Sequence, residues 1–164
     1  MKIATILPYK ENYTISKAQA AAIWVSDFYK LSRFKKNNYI FGNTKNKDFL
    51  TSNYKNIKLK TVNSKIFSTT NEYCNEFIKI NKNFNFDIIE IHNRPLVFNK
   101  LKEIINSKFI LYFHNDPLSM KGSKTKNERL KILSEASGVV FVSKYLREKF
   151  FTDINQSFDN TFII

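Results

Sequence analysis

FILYFHNDP, at residues 109–117, is the stretch that decides the fold, and DIIEIHNRP, at residues 87–95, repeats its pattern. In each stretch a short apolar run stops at the signature His-Asn-x-Pro, and the two signatures contain both histidines of the chain, His92 and His114. Short apolar runs with abrupt polar ends are typical of strands that are buried on both faces of a sheet. The two stretches therefore predict neighbouring parallel strands whose carboxyl ends are polar.

Outward from these stretches, strand-like and helix-like segments alternate along the chain. Strands are predicted at residues 2–8, 38–42, 57–62, 87–91, 109–113 and 139–143, with a last apolar piece at 161–164. Helices are predicted at residues 16–34, 69–84, 95–107, 123–137 and 144–151, with Ser16 as an N-cap, Pro95 at a helix start and Gly138 just past a helix end. This alternation indicates an α/β fold: one Rossmann-like domain, residues 1–164, with an open parallel sheet flanked by helices.

The two signatures predict a ligand-binding rim. In an open parallel sheet, ligands bind beyond the carboxyl ends of the strands, so both signatures are expected side by side, with the histidine Cα atoms about 5–7 Å apart. Carboxamides and imidazoles suit hydroxyl-rich ligands, and an arginine suits an anionic one. The predicted rim residues are His92, Asn93, Arg94, His114, Asn115 and Asp116.

Two other interpretations of the rim remain open at this point. The asparagines can be explained as turn and capping residues before a helix that starts with proline, although this does not explain why both histidines fall there. A metal site formed by His92, His114 and Asp116 has suitable ligands but no sharp motif spacing, so no metal is predicted.

The composition limits the other functional classes. A net charge of +13 would suit nucleic acid or an anionic surface, but the basic residues are spread along the chain without a long block, so nucleic acid is not predicted as a partner. A G-x-G-x-x-G turn, a Walker A sequence and a G-x-S-x-G elbow are all absent. Dinucleotide binding in the usual manner is therefore not expected.

The amino-terminal segment and the single cysteine predict a cytoplasmic protein. Cys74 cannot form an internal disulfide and is expected to be a buried thiol on a helix. The apolar start is too short for a signal-peptide core, and no apolar run approaches the ~18 residues of a membrane span. Peripheral contact with the inner face of a membrane is a further expectation.

Three stretches, DIIEIHNRP, FILYFHNDP and GVVFVSKYLREKF at residues 138–150, together resemble the amino-terminal domain of GT-B glycosyltransferases of family 4, the group 1 glycosyltransferases. The resemblance covers nearly all of the chain and is weakest between residues 42 and 83. It implies retaining transfer of a sugar from a nucleotide-sugar donor to an acceptor hydroxyl, in the biosynthesis of cell-envelope glycans. It also implies no bound metal and no permanent cofactor, because the nucleotide sugar is a co-substrate.

The resemblance also implies roles for residues. His114 matches the family histidine that reaches the donor sugar and is the predicted catalytic residue, by hydrogen bonding rather than as a necessary general base. Glu11 borders the predicted site in the loop after the first strand, where this sequence lacks the glycines of many members. The predicted acceptor-binding residues are Tyr13, Ser16, His92, Asn93, Arg94, Asn115, Asp116 and Ser143.

Two of these residues have simpler interpretations. Tyr13 is expected either to stack on a sugar face or to be an ordinary loop tyrosine. Asp116 is expected to orient His114, to bind sugar hydroxyls, or merely to cap the next helix.

The end of the sequence departs from the family pattern. In the family, the strand that matches residues 161–164 is followed by Pro-Asn-Gly and by a second Rossmann-like domain, which binds the nucleotide and carries a Glu-x7-Glu pair. This sequence stops at Ile164. The expectation is an isolated acceptor-binding half of a GT-B fold, inactive without the missing donor-binding domain, with a sugar or lipid-linked acceptor as its other partner.

An alternative function is a non-catalytic Rossmann-like module that its basic surface recruits to anionic lipid or another anionic partner. Basic residues flank the predicted helix that carries Trp24 and Phe28, and such a segment could rest on anionic lipid. The other interpretation of this helix places both aromatic rings in the core. The basic residues are Lys30, Arg33, Lys35 and Lys36.

Overall fold

The computed structural model describes residues 1–59 and 68–164, which form seven strands and five α-helices. The strands are β1 (Ile3–Ile6), β2 (Asn38–Gly42), β3 (Tyr54–Asn56), β4 (Ile88–His92), β5 (Lys108–Phe113), β6 (Gly138–Phe141) and β7 (Thr161–Ile163). The helices are α1 (Ala20–Leu31), α2 (Thr69–Phe84), α3 (Pro95–Lys102), α4 (Lys126–Glu135) and α5 (Lys144–Phe150), with 3₁₀ turns at Lys35–Asn37 and Pro117–Ser119.

The chain divides into two compact units, residues 1–88 and 89–164. In the first unit the strand order is β3-β2-β1, and both pairings are parallel. Its sheet packs against α1 and α2 through buried residues such as Leu7, Val25, Phe41 and Phe77. The aromatic rings of Phe41 and Phe77 meet edge to face, with centroids 5.3 Å apart, which adds directional packing to apolar burial.

In the second unit the strand order is β4-β5-β6-β7, and β6 pairs in parallel with both β5 and β7. Phe113 and Phe141 lie opposite each other in the β5–β6 register, and their rings stack with centroids 5.5 Å apart. Phe150 of α5 closes this cluster at 5.2 Å from both rings. The predicted class, an α/β Rossmann-like fold with a parallel sheet flanked by helices, is confirmed.

Local capping explains several helix boundaries. Thr125 and Glu128 form a reciprocal capping box, so α4 begins at Lys126 rather than at residue 123. Gly138 does not cap this helix, because it is already the first residue of β6. The helix predicted at 95–107 ends at Lys102, where the N–H groups of Ile104 and Ile105 both turn back to the carbonyl of Leu101.

Two predicted elements of the first unit were wrong. The first helix starts at Ala20 instead of residue 16, because the backbone N–H of Ser16 donates to the carboxylate of Asp48 and holds this segment outside the helix. The third strand lies at Tyr54–Asn56, and Ile57 to Leu59 are not strand; the rest of the prediction, residues 60–62, lies outside the described residues. Helix α2 spans the predicted residues 69–84, and Cys74 is buried on it.

Two glycines provide a test of the second unit. Gly122 has a φ of 93°, and a Cβ there would lie 2.8 Å from the backbone nitrogen of Leu96, whereas a Cβ on Gly138 would meet nothing closer than 3.5 Å. We expect Gly122→Ala to lower the free energy of unfolding by about 2–3 kcal/mol through backbone strain and a clash. Gly138→Ala is the matched control and should change it by less than about 1 kcal/mol. Chemical denaturation measures both, and equal effects would contradict this packing.

Candidate functional site

The two histidines of the chain form a direct hydrogen-bonded pair in the second unit. His92 is the last residue of β4, His114 follows β5, and these strands are neighbours. The distance from His92 Nδ1 to His114 Nε2 is 2.8 Å. The ends of the two signature stretches therefore lie side by side in the structure, as predicted. We call His92 and His114 the histidine pair.

Asn93 clamps the ends of the two strands together. Its side-chain Oδ1 accepts hydrogen bonds from the backbone N–H of His114 at 2.7 Å and of Asn115 at 3.3 Å. Its own backbone N–H donates to the carbonyl of Tyr112 at 2.8 Å. Its φ is 53°, in the left-handed region that asparagine tolerates better than most residues. Asn93 is thus a structural part of the rim, and its exposed fraction is only 6%.

Burial sets the charge of the histidine pair. Burial, and secondarily the charge of His114, lower the pKa of His92 well below its ordinary value. Burial also lowers the pKa of His114 to about 4. Both imidazoles are therefore neutral at neutral pH, and in the hydrogen bond between them one ring nitrogen donates while the other accepts. A neutral imidazole can donate and accept hydrogen bonds, which suits sugar hydroxyls better than a fixed cation does.

Tyr112 supports the pair from β5, and the sequence did not single it out. Its ring stacks on His92 with centroids 4.5 Å apart and an interplanar angle of 12°. Its hydroxyl donates to Glu90 Oε1 at 3.4 Å, and burial, followed by Glu90, raises the pKa of Tyr112. The signal in the sequence was a tyrosine with a polar group inside an otherwise apolar strand. His92 is 1% exposed, so it is His114 that keeps contact with solvent.

The remaining predicted residues of the second unit hold backbone groups. Arg94 Nη1 donates to the carbonyl of Asn93 at 2.9 Å. Asp116 caps the short turn after β5, because its Oδ1 accepts the N–H of Leu118 at 2.8 Å. Ser143 caps α5 by accepting the N–H of Leu146. Asp116 therefore has the capping role that the sequence left as one of its alternatives.

Tyr13 belongs to the core of the first unit. It has no exposed surface, and its ring stacks on Tyr54 with centroids 4.9 Å apart and an interplanar angle of 11°. Burial raises the pKa of Tyr13, although a hydrogen bond with the Thr51 hydroxyl at 3.1 Å opposes that shift. A ring in this position offers no face to a sugar, so the stacking role expected for Tyr13 is corrected to a packing role.

Ser16 and Glu11 take part in local hydrogen bonds. Ser16 is exposed, and hydrogen bonds from its hydroxyl and backbone N–H lower the pKa of Asp48. Glu11 Oε1 accepts the N–H of Ala22 at 3.1 Å, so this carboxylate sits at the amino-terminal end of α1, where a negative charge is favourable.

Three exposed lysines were missed in the sequence. Lys10, Lys45 and Lys58 line one cleft of the first unit, each after the carboxyl end of a different strand. Lys58 was hidden because the third strand was predicted at 57–62, which made this lysine an ordinary polar position of a strand. Lys10 and Lys45 could have been found, since both follow correctly predicted strands.

The described ranges contain neither a metal-binding cluster nor a membrane-spanning helix. Within residues 1–59 and 68–164, no three His, Cys, Asp or Glu side chains come together in a way that could hold a metal ion. None of the helices in these ranges has both the length and the apolar character that a membrane span requires.

Comparison with solved structures gives three informative matches, each covering 100% of this chain. Sucrose-phosphate synthase from Thermosynechococcus elongatus is 12% identical, with a TM-score of 0.66 and 48% of that chain covered. Alr3699/HepE from Anabaena, solved in complex with UDP, is 13% identical, with a TM-score of 0.66 and 43% of that chain covered. UDP-GlcNAc 2-epimerase from Methanocaldococcus jannaschii is 12% identical, with a TM-score of 0.53 and 45% of that chain covered.

These matches concern the fold, since the identities are very low. No protein-family model matches the chain, and no curated protein matches it. The chain spans about half the length of each of these three solved chains. It therefore has an α/β Rossmann-like fold like that of the aligned parts of these three proteins.

The histidine pair predicts how stability depends on pH. Below pH of about 6.5 the unfolded chain takes up a proton at His114, whereas the folded chain keeps this residue neutral down to about 4. The unfolded state then binds more protons, so the free energy of unfolding falls as pH is lowered through this window. The contribution of neutral His114 to the free energy of unfolding is fully present above a pH of about 6.5, the pKa of histidine in the unfolded chain.

Chemical denaturation at pH 7.5 and pH 5 measures this effect. Between pH 7.5 and pH 5, we expect the free energy of unfolding of the unaltered chain to fall by roughly 1–2 kcal/mol more than that of the variant His114→Gln. Glutamine keeps a polar side chain at this position but does not titrate in this pH range. Carboxylates titrate in both proteins, so the difference reports on the histidine pair, in which the pKa of His92 itself depends partly on His114. Identical pH dependence in the two proteins would show that His114 is not held neutral by its surroundings.

Proposed function

We propose that this chain is the acceptor-side domain of a retaining glycosyltransferase of family 4. The enzyme would transfer a sugar from a nucleotide-sugar donor to a glycan or lipid-linked acceptor. The observation that carries the proposal is the neutral histidine pair at the carboxyl ends of two neighbouring strands. Support comes from the fold, which matches a sucrose-phosphate synthase and a UDP-bound protein over their aligned parts.

The proposed roles follow the chemistry of the groups. His114, which keeps contact with solvent, hydrogen-bonds the donor sugar, and His92 holds its ring in place through the 2.8 Å hydrogen bond. A preorganised neutral donor and acceptor of this kind stabilises developing partial charges on sugar oxygens without a metal or a resident cofactor. On the acceptor side we place the segments at the ends of β4, β5 and β6, through Asn93, Arg94, Asn115, Asp116 and Ser143.

The donor site belongs to a second domain in this proposal. The solved chains that this fold matches are about twice as long, and one of them is described in complex with UDP. We propose that the nucleotide sugar is held mainly by a carboxy-terminal domain and that residues 1–164 alone transfer nothing. In this proposal the enzyme is cytoplasmic and works at the inner face of a membrane.

The proposal is tested on the whole reading frame, which we expect to continue beyond the codon for Ile164 through Pro-Asn-Gly and a Glu-x7-Glu pair. The expressed protein is assayed for sugar transfer and nucleotide release with a panel of UDP-, GDP- and ADP-sugars. His114→Ala should lower kcat/KM by about 10²–10³, the usual cost of removing one preorganised hydrogen bond to the transition state.

Gln156→Ala, at an exposed position of the second unit, is the control and should leave kcat/KM unchanged. The role of His114 fails if its alanine variant keeps full activity. The proposed function fails if the whole protein turns over none of the nucleotide sugars.

A second candidate function is recruitment to anionic lipid, and helix α1 favours it. The exposed fractions are 50% for Phe28 and 88% for Leu31, although Trp24 packs partly against the core and stacks on Phe28 at 5.1 Å. The guanidinium of Arg33 lies 4.8 Å from the ring centre of Phe34. Exposed apolar side chains beside basic ones are what an interfacial helix presents to anionic lipid.

Cosedimentation with phosphatidylserine–phosphatidylcholine vesicles tests this second function. We expect binding at low salt, loss of binding at 0.5 M salt because charge attraction is screened, and roughly five- to thirtyfold weaker binding for Phe28→Ser. Vesicles of phosphatidylcholine alone and the exposed-site variant Gln156→Ala are the controls. Equal binding to neutral and anionic vesicles, or none to either, rules out this mode of recruitment.

A further inference from the structure

The cleft that contains Lys10, Lys45 and Lys58 lies at the edge of the first unit where the carboxyl ends of its strands meet. These lysines follow β1, β2 and β3, whose carboxyl ends share one edge because the strands are parallel. The cavity has a volume of about 720 Å³, within the range of small-molecule sites. We infer that this lysine cleft binds an anionic group of the phosphate type and, resting on the proposed function, that this group belongs to the sugar acceptor.

Charge is the first reason for this inference. Among the described residues that line the cleft, there are three lysines and one carboxylate, that of Glu72 on α2, so these residues carry a net formal charge of +2. Among the residues that the structure describes, no ion pair involves any of the three lysines, although Lys30 and Lys79 of the same unit are both paired. A charge of +2 complements a phosphate dianion, and a lysine binds phosphate as a compact point charge.

The second reason is that the cleft has a rigid frame. Asn56 Oδ1, after β3, accepts the backbone N–H of Thr44, after β2, at 2.7 Å. The hydroxyl of Tyr54 lies 3.0 Å from Thr44 Oγ1 and 3.1 Å from Asn56 Oδ1. Tyr54 is itself fixed by its stacking on Tyr13. The segments that carry Lys45 and Lys58 are therefore held in place before a ligand arrives, which lowers the entropic cost of binding.

The size and lining of the cleft indicate the class of ligand. A cavity of this volume holds more than an inorganic ion, and the hydroxyl group of Thr69 and the amide groups of Asn43 and Asn56 line it beside the lysines. Such groups hydrogen-bond sugar hydroxyls, while the lysines neutralise a phosphate. A monosaccharide that carries a phosphate, rather than a neutral sugar, fits both features.

Calorimetric titration of the chain tests the inference with three soluble ligands: inorganic phosphate, glucose 6-phosphate and glucose. We expect saturable binding of glucose 6-phosphate, weaker binding of inorganic phosphate and none of glucose. Lys45→Gln and Lys58→Gln should each weaken binding of glucose 6-phosphate about five- to tenfold, and binding should weaken as salt is raised.

Lys47→Gln is the matched control, because it removes the same charge from an exposed position of the same unit that does not line the cleft. Unchanged affinity in this control, with a preserved thermal unfolding transition in all variants, supports a localised site. Equal weakening in all three variants, or no saturable binding of either phosphate compound, overturns the inference. Binding only to anionic vesicles, with none of soluble phosphates, also overturns it in favour of a lipid headgroup.

The test separates this inference from the proposed function. One outcome is that glucose 6-phosphate binds in a lysine-dependent way but the product of the whole reading frame transfers no sugar. This outcome would support the anion site and contradict its identification as an acceptor site. The opposite outcome is that the protein transfers sugar to neutral acceptors and that Lys45→Gln and Lys58→Gln leave kcat/KM unchanged. This outcome would support the proposed function and overturn this inference.

Discussion

The rim of the second unit depends on one residue, Asn93, and on the backbone conformation that it accepts. A strand that ends in a sharp turn needs a residue that tolerates positive φ, and Asn93 does so at 53°. The same side chain then accepts two backbone N–H groups from the residues after β5. This arrangement sets the register between the two strand ends, and the 2.8 Å contact of the histidine pair follows from it.

Burial of this pair determines what chemistry it can perform. Two imidazoles in direct contact cannot both be charged at low cost, and stacking of His92 on Tyr112 removes water from one of them. The rim thus presents a neutral hydrogen-bonding group at neutral pH. Asn93 and Asp116 surround it with satisfied backbone groups, so that its geometry is held by the chain itself.

The corresponding edge of the first unit, at the carboxyl ends of its strands, carries lysines instead of neutral imidazoles. Its aromatic and hydroxyl network, built from Tyr13, Tyr54 and Thr44, is fully structural. The residues that follow this network are the exposed lysines of the cleft. Hydrogen bonding by neutral groups characterises the strand ends of the second unit, whereas positive charge characterises those of the first unit.

The sequence by itself determined the α/β class, the bounds of α2, and the meeting of His92 with His114, because apolar periodicity and strand ends are local signals. It did not determine the position of β3, the burial of Tyr13 or the grouping of Lys10, Lys45 and Lys58. Those depend on which distant segments pack together: Tyr13 is buried because Tyr54 stacks on it from 41 positions away along the chain. Likewise, the lowered pKa values of the histidine pair come from burial, a property that only the folded chain has.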